Sequence, residues 1–217
     1  MANLASLYEL VLPYLPGAEV PVVQLHARRV LREFLRRTTV WRERVTFNTA
    51  LPGVGVSETY RYAPTSGEVA ATLAVYVDGS SSPLPVATEA TRANHRLQPA
   101  PPRGWYSNAA ALLSFWPQPD AVYAIEADVT LVIPIMQSAA GDDTFPDDVF
   151  AEYGEDIAAG VIGYMMAMPG KPWTQMEAGQ IYLRRYENRI RSLRGRLRDG
   201  GQPNASTMHG PRIVGGR

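Results

Sequence analysis

The sequence contains no cysteine, and this absence excludes several kinds of chemistry. Disulfide staples, zinc sites built on thiolates and cysteine nucleophiles all require that side chain. Lysine is almost absent as well, because Lys171 is one of 21 basic residues and all the others are arginine. We therefore expect stability to come from packing, in a protein suited to assembly in a reducing cytosol.

Long apolar runs are also missing from the 217 residues. None reaches the roughly 18 to 20 residues that span a bilayer, so we expect no membrane insertion. The first residues lack a basic stretch and place Glu9 among apolar side chains, which predicts a short amphipathic helix rather than a secretion signal. Hydrophobic residues make up 46% and charged residues 19% of the chain, a composition typical of globular proteins.

Histidine is scarce, and His26, His95 and His209 are far apart in the sequence. None of them has the spacing of a metal site or a catalytic triad, so we interpret all three as incidental. The segment Gly53-Val54-Gly55 lacks the third glycine of a dinucleotide-binding turn and the helix that follows one. We interpret it as a loop.

Acidic residues gather between positions 142 and 156, where a cation site or acid–base pair would have to be considered. The segment lacks the alternating ligands and the terminal glutamate of a calcium loop. Asp147 and Asp148 are explained as carboxylates in the first turn of a helix. Glu152, Glu155 and Asp156 are explained as part of a solvated helix face. We therefore predict no catalytic residue, no metal and no cofactor, and a protein that is not an enzyme. The residues are Asp142, Asp143, Asp147, Asp148, Glu152, Glu155 and Asp156.

Helical periodicity occupies both ends of the chain. Asn3 caps a predicted first helix over residues 4–12, and Pro21 opens a second one. Pro146 and Pro172 open the third and fourth predicted helices. The second helix carries five arginines away from its apolar stripe, which predicts a basic outer face. They are Arg28, Arg29, Arg32, Arg36 and Arg37.

The middle of the chain changes to a period of two residues, which predicts β-strands. The pattern covers residues 45–47, 59–62 and 69–77. Residues 105–116 and 122–133 are predicted to form a hairpin around the proline-containing turn 117–120.

The predicted fold class is α+β, an antiparallel helical bundle with an inserted small antiparallel β domain and an extended C-terminal tail. Two N-terminal and two C-terminal helices form the bundle, because short breaks such as residues 168–172 favour antiparallel neighbours. The corresponding boundaries are 1–44 and 138–199 for the bundle, 45–137 for the β domain, and 200–217 for the tail.

The last predicted helix is rich in arginine, with Glu187 as the one acid among residues 184–198. A solvated face is one interpretation, and a docking surface for an acidic partner or for phosphates is the other. Tyr182 and Tyr186 are the nearby aromatic residues, so the interleaved pattern of nucleic-acid modules is weak and sequence-specific DNA binding is not expected. The hypothetical interface residues are Arg184, Arg185, Arg189, Arg191, Arg194 and Arg198 in this helix, with Ile213 and Val214 in the tail.

Several segments show an ordered likeness to one protein family. Residues 7–43 place a short helix, broken by proline, before a long one that ends at Thr38, with Trp41 three positions later. In the middle, residues 75–79 end a strand with Asp-Gly, and residues 113–119 follow as Leu-Ser-Phe-Trp-Pro-Gln-Pro.

The closing part carries Phe-Pro-Asp-Asp at residues 145–148, and Met-Pro at 168–169 before Lys-Pro-Trp at 171–173. In this order, over about residues 4–199, the chain resembles the head-to-tail adaptor proteins of tailed phages, the gatekeeper or tail tubular family. The sequence departs from that family in lacking an aromatic-rich C terminus, which leaves the contact with the tail open.

The resemblance implies a structural virion protein that forms a ring of about twelve copies under the portal. The helices and the C-terminal segment would bind the portal protein, and the β domain would face the downstream tail nozzle or tube protein. DNA would pass through the channel during genome ejection without sequence-specific binding. The expected location is the head-tail junction of the virion, after assembly in the host cytoplasm. The alternative is a nucleic-acid-binding assembly factor that uses the arginines of the last helix.

Overall fold

The computed structural model describes residues 1–50, 59–87, 99–134 and 143–198. These ranges contain four α-helices and eight β-strands, which confirms the predicted mixed α+β class. The helices are α1 (Ala5–Val11), α2 (Val20–Thr38), α3 (Asp147–Met166) and α4 (Met176–Arg198). No helix in the described ranges is both long enough and apolar enough to cross a membrane.

The strands form three antiparallel sheets. One sheet has the strand order β2-β7-β4, the second has β3-β6-β5, and the third pairs β1 with β8. The six strands of the first two sheets lie between α2 and α3 in the sequence. The strands are β1 (Ala2–Asn3), β2 (Arg42–Asn48), β3 (Thr59–Arg61), β4 (Glu68–Val77), β5 (Gly104–Ala109), β6 (Leu112–Trp116), β7 (Ala124–Val132) and β8 (Thr144–Phe145).

The starts of two helices follow from local sequence, whereas the cap predicted at Asn3 is wrong. Leu4 is the N-cap of α1 and no side chain caps this helix. Asn3 lies one residue earlier, and its side-chain oxygen accepts a hydrogen bond of 2.9 Å from the backbone N–H of Ala5. Pro21 lies in the first turn of α2, where its missing N–H costs nothing. Asp147 and Asp148 occupy the first turn of α3, where their charge complements the helix dipole.

The start predicted for the fourth helix at Pro172 is wrong, because α4 begins at Met176. Residues 171–174 form a turn instead, in which the Thr174 hydroxyl accepts a hydrogen bond of 2.9 Å from the Lys171 N–H. The same hydroxyl donates to the carbonyl of Met168. A threonine that bonds its own backbone in this way competes with helix formation.

The predicted hairpin between residues 105–116 and 122–133 is also wrong. β5 pairs with β6 within the first of these segments, and β7 pairs with β2 and β4. The chain turns at Ala111, which adopts a positive φ of 59°. Alanine is uncommon there, since such turns favour Gly, Asn or Asp, so the sequence carried no signal to divide the segment.

Aromatic side chains join the two larger sheets. Phe47 of β2 stacks on Tyr62 with ring centroids 5.6 Å apart, and its ring centroid lies 6.5 Å from that of Tyr60 in β3. The hydroxyls of Tyr62 and Thr72 are 2.7 Å apart and form a hydrogen bond. These contacts are part of one buried core that continues into the helices.

The predicted basic outer face of α2 is wrong at Arg28. This side chain is only 7% exposed and forms an ion pair with Asp143, itself 13% exposed. Arg28 also donates to the carbonyl of Pro134 at 3.3 Å, and Arg32 donates to the carbonyl of Ile133. The chain that leaves β7 passes along this side of α2, so its carbonyls accept from arginines that a helical pattern alone assigns to solvent. Arg29 is exposed, as predicted.

Small residues bring α3 and α4 close together. A Cβ atom added at Gly160 would lie 2.7 Å from the ring of Tyr186, and one added at Gly163 would lie 2.8 Å from Leu183. Gly179 of α4 faces Met166 in the same way. The contacts pair positions in reverse order along the two helices, so α3 and α4 run in opposite directions where they touch.

Candidate assembly interface

The arginines of α4 divide into two groups, and the first group binds α3. Arg185 forms ion pairs with Glu155 at 2.9 Å and Asp156 at 3.1 Å. Arg189 forms ion pairs with Asp156 at 3.1 Å and Glu152 at 3.8 Å. Asp156 is 17% exposed, so the prediction that these acids are simply solvated is wrong for it. Arg185 and Arg189 therefore hold α4 against α3 within one chain.

The second group consists of Arg184, Arg191 and Arg194, which we call the basic face. All three are exposed, and none forms an ion pair within the described part of the chain. At about 100° per residue, Arg184 and Arg191 lie about 160° and about 180° around α4 from Tyr182. The basic face thus points away from the side of α4 that Tyr182 occupies.

The remaining predicted interface residues lie beyond what the structure describes. Arg198 belongs to the last turn of α4, but its side chain is outside the described set. Ile213 and Val214, and the tail from 199 to 217 that contains them, are outside the described residues.

Arg37 connects α2 to α4 through a bidentate ion pair with Glu187. Its two terminal nitrogens lie 2.6 Å and 2.7 Å from the two carboxylate oxygens, and Glu33 accepts a third bond at 3.0 Å. The hydrogen bonds from Arg37 hold the pKa of Glu187 below its usual range, and Glu187 in turn raises the pKa of Arg37. Both side chains are about 30% exposed, so we expect the pair to contribute no more than about 1 kcal/mol.

Replacing Glu187 with glutamine should reduce the loss of stability in acid. A carboxyl whose pKa is lower in the folded state stabilises the protein above its unfolded pKa of about 4.3, and that contribution disappears as the pH falls through the folded pKa. We therefore expect a shallower decline in the free energy of unfolding between about pH 5 and pH 3, measured by urea titration. Arg37→Gln should flatten the same window, and the double variant should change it no further. An unchanged profile in both single variants would contradict this role.

Neither tyrosine of α4 lies on the basic face. Tyr186 is fully buried, and its hydroxyl donates to the carbonyl of Val30 at 3.1 Å. Burial raises the pKa of Tyr186 above its usual range. Tyr182 contacts the edge of Tyr14 with ring centroids 6.0 Å apart. Since neither ring stacks beside the exposed arginines, no observation favours the nucleic-acid-binding alternative.

A groove of about 360 Å³ lies between α1, α3 and α4, on the Tyr182 side of α4. Its lining combines apolar side chains with the carboxylates of Glu9 and Glu155 and with the guanidinium of Arg185, which is paired with Glu155. We call it the acidic groove, and its apolar lining includes Leu10, Pro13, Tyr14 and Ile162. Sequence patterns could not predict it, because it depends on how three helices that are distant in sequence pack together.

The histidines and acidic residues form no metal-binding cluster in the part of the chain that the structure describes. Among the described residues, no group of three or more His, Asp or Glu side chains could hold a metal ion. His26 is half-buried beside Arg29 and Glu33 in a small cavity of about 150 Å³, and burial lowers its pKa. His95, His209, the loop 53–55 and Asp142 lie outside the described residues.

The chain belongs to the SU10 adaptor protein family, whose family model matches residues 2–211. This match confirms the resemblance to phage head-to-tail adaptors that residues 4–199 indicated, and the family is one of phage structural proteins. A comparison with curated proteins gave no match.

Proposed function

We propose that this chain is a head-to-tail adaptor that forms a ring under the portal and joins it to the tail around the DNA channel. The family match over residues 2–211 carries the proposal. The ring contains about twelve copies, as a closed cyclic assembly of identical subunits. DNA passes through it without sequence-specific binding, and the protein is a virion component of the head-tail junction that assembles in the host cytoplasm. The role requires no bond to be made or broken, in keeping with the prediction that the chain is not an enzyme.

The helices form the portal-binding part in this proposal, and the β unit faces the next tail component. Support comes from the chain order, in which α1 and α2 precede the strands β2 to β7 and α3 and α4 follow them. The helices also contact one another across that gap, through Arg37 and Glu187 and through Tyr186 and Val30. Of the predicted interface arginines, Arg184, Arg191 and Arg194 are exposed and form no ion pair among the described residues, whereas Arg185 and Arg189 bind α3.

Mixing the purified protein with its cognate portal and imaging the product by electron microscopy tests the proposal. The expected result is a ring of density on the tail-facing side of the portal. A portal that stays bare at saturating protein concentration would overturn the proposed function. A portal from an unrelated phage is the control for non-specific adhesion.

Deleting residues 202–217 should weaken portal docking without unfolding the rest of the protein. Segments that order on a partner add contact area to a complex while adding little to the isolated body. We expect a clear loss of portal affinity in a sedimentation assay and a melting temperature within a few degrees of the full chain. A large drop in melting temperature would contradict this prediction, because it would give the tail a role in the fold itself.

A further inference from the structure

We infer that copies of this chain bind one another head to tail, with the basic face of one copy against the acidic groove of the next. The inference rests on the proposed ring and names the two surfaces that would close it. It also explains why α4 carries exposed arginines in addition to those that bind α3. The proposed occupant of the acidic groove is therefore a second copy of this chain.

The two surfaces lie on opposite sides of the same helix. Tyr182 lines the acidic groove. Arg191 is nine positions later, about two and a half turns at about 100° per residue, which puts it on the opposite side of the helix. One copy can therefore use its groove and its basic face at the same time, on different neighbours. Such a pair of surfaces builds chains or closed rings.

The surfaces carry opposite charge. Two carboxylates, Glu9 and Glu155, and one guanidinium, Arg185, line the groove, so its net charge is negative. Arg185 is paired with Glu155, whereas Glu9 forms no ion pair among the described residues. The basic face presents three arginines without an ion pair among the described residues. Because the two surfaces lie on opposite sides of α4, a two-fold symmetric dimer formed through either one would place like charges opposite each other, so complementarity favours the head-to-tail arrangement over an isologous one.

Apolar groups accompany the charges on both surfaces. Ile181 lies one turn before Arg184 on α4 and is 65% exposed, which is unusual for so large an apolar side chain. The groove offers Leu10, Pro13 and the half-exposed ring of Tyr14 as its counterparts. Tyr14 can also accept an arginine on the face of its ring, a contact that gains strength when water is excluded.

Magnitudes indicate when this contact forms. Exposed ion pairs contribute about 0 to 1 kcal/mol each, and the apolar part of the contact is small. We therefore expect weak association in free solution, and strong association where the portal holds neighbouring copies at a high effective concentration.

The absence of cysteine allows a direct test by cross-linking in the full chain. The double variant Glu9→Cys/Arg191→Cys places one thiol at the groove and one on the basic face. A short bis-maleimide should convert it into a ladder of dimers, trimers and larger species, because each copy then links to two neighbours. Each single variant should stop at dimers. The matched control Val122→Cys/Arg191→Cys moves the first thiol to an exposed residue outside the helices and should give no ladder.

The cross-linking is carried out on free protein and on protein mixed with its cognate portal, so that two failures can be told apart. If a ring forms on the portal but the Glu9/Arg191 pair gives no ladder there, the inference is wrong and the proposed function stands. If the portal stays bare while the ladder forms in solution, the proposed function fails and the contact between copies stands. If neither occurs, both are wrong.

Charge reversal supplies a second, independent test. The variants Arg184→Glu/Arg191→Glu and Glu9→Arg should each lose at least ten-fold in ring formation on the portal when used alone. An equal mixture should recover most of it, because every contact in an alternating ring again joins opposite charges. Melting temperatures of both variants serve as the control for folding. Unchanged ring formation by each variant alone would overturn the inference.

Discussion

Replacing Arg28 with methionine should destabilise the protein by about 3 to 5 kcal/mol, the largest effect we expect from a single charged residue. The guanidinium forms an ion pair with Asp143, and both side chains are almost completely buried. Removing one partner leaves the other charge without compensation in a site that water scarcely reaches. The carbonyl of Pro134 would lose a donor at the same time.

Urea and thermal unfolding measure this effect. For a chain of this length the melting temperature should fall by about 6 to 20 °C. Arg29→Met is the matched control, because Arg29 is exposed and the same substitution there should change stability by less than about 0.5 kcal/mol. The double variant Arg28→Met/Asp143→Asn should be more stable than the single Arg28 variant, since it removes the unpaired carboxylate. Equal stability of the Arg28 and Arg29 variants would show that the buried pair contributes nothing specific.

Replacing Gly160 with valine should cost about 3 kcal/mol by forcing α3 and α4 apart. A Cβ atom at this position would lie 2.7 Å from the ring of Tyr186 and 2.8 Å from the side chain of Val30. Tyr186 is fully buried and tied to the carbonyl of Val30, so it has little room to give way. Overpacking of a dense core typically costs about 1 to 3 kcal/mol, and valine adds two further methyl groups.

The matched control is Gly195→Ala on α4, where an added Cβ would meet nothing within 4 Å. There the change should stabilise the protein by about 0.4 to 1 kcal/mol, since alanine loses less backbone entropy in a helix than glycine. Gly160→Ala should be destabilising in spite of the same gain in helix propensity. Chemical denaturation of the three variants compares them directly, and a stabilising Gly160→Ala would disprove the close approach of the two helices.

The features that the sequence predicted correctly depend on neighbouring residues. Pro21 sets the start of α2, and Pro146 with Asp147 and Asp148 sets the start of α3, because caps and first turns are local. The predicted start of the last helix was wrong, because the turn in which Thr174 accepts a hydrogen bond from the Lys171 N–H places the first residue of α4 after it.

The features that the sequence could not predict depend on distant contacts. The partner of β6 could not be chosen by pattern, because β5 and β7 are both suitable strands and the turn at Ala111 has no turn residue. The helical pattern of α2 assigned Arg28 to solvent. The side chain is buried because Pro134 and Asp143, which are distant in sequence, lie against it. The candidate interface shows the same limit, since the arginine content of α4 was evident but its division between α3 and solvent was not.

The bonds around Arg28 also constrain how the chain folds during synthesis. The Asp143 side chain binds Arg28, while the Asp143 carbonyl accepts a hydrogen bond of 2.8 Å from Leu4, and β1 pairs with β8 beside it. Leu4 and Arg28 can therefore form these bonds only after Asp143, more than a hundred positions later, has been synthesised. Contacts of such long sequence separation form slowly. The first two helices therefore leave the ribosome with apolar surface uncovered, and the fold closes only after Asp143 and Phe145 have been made.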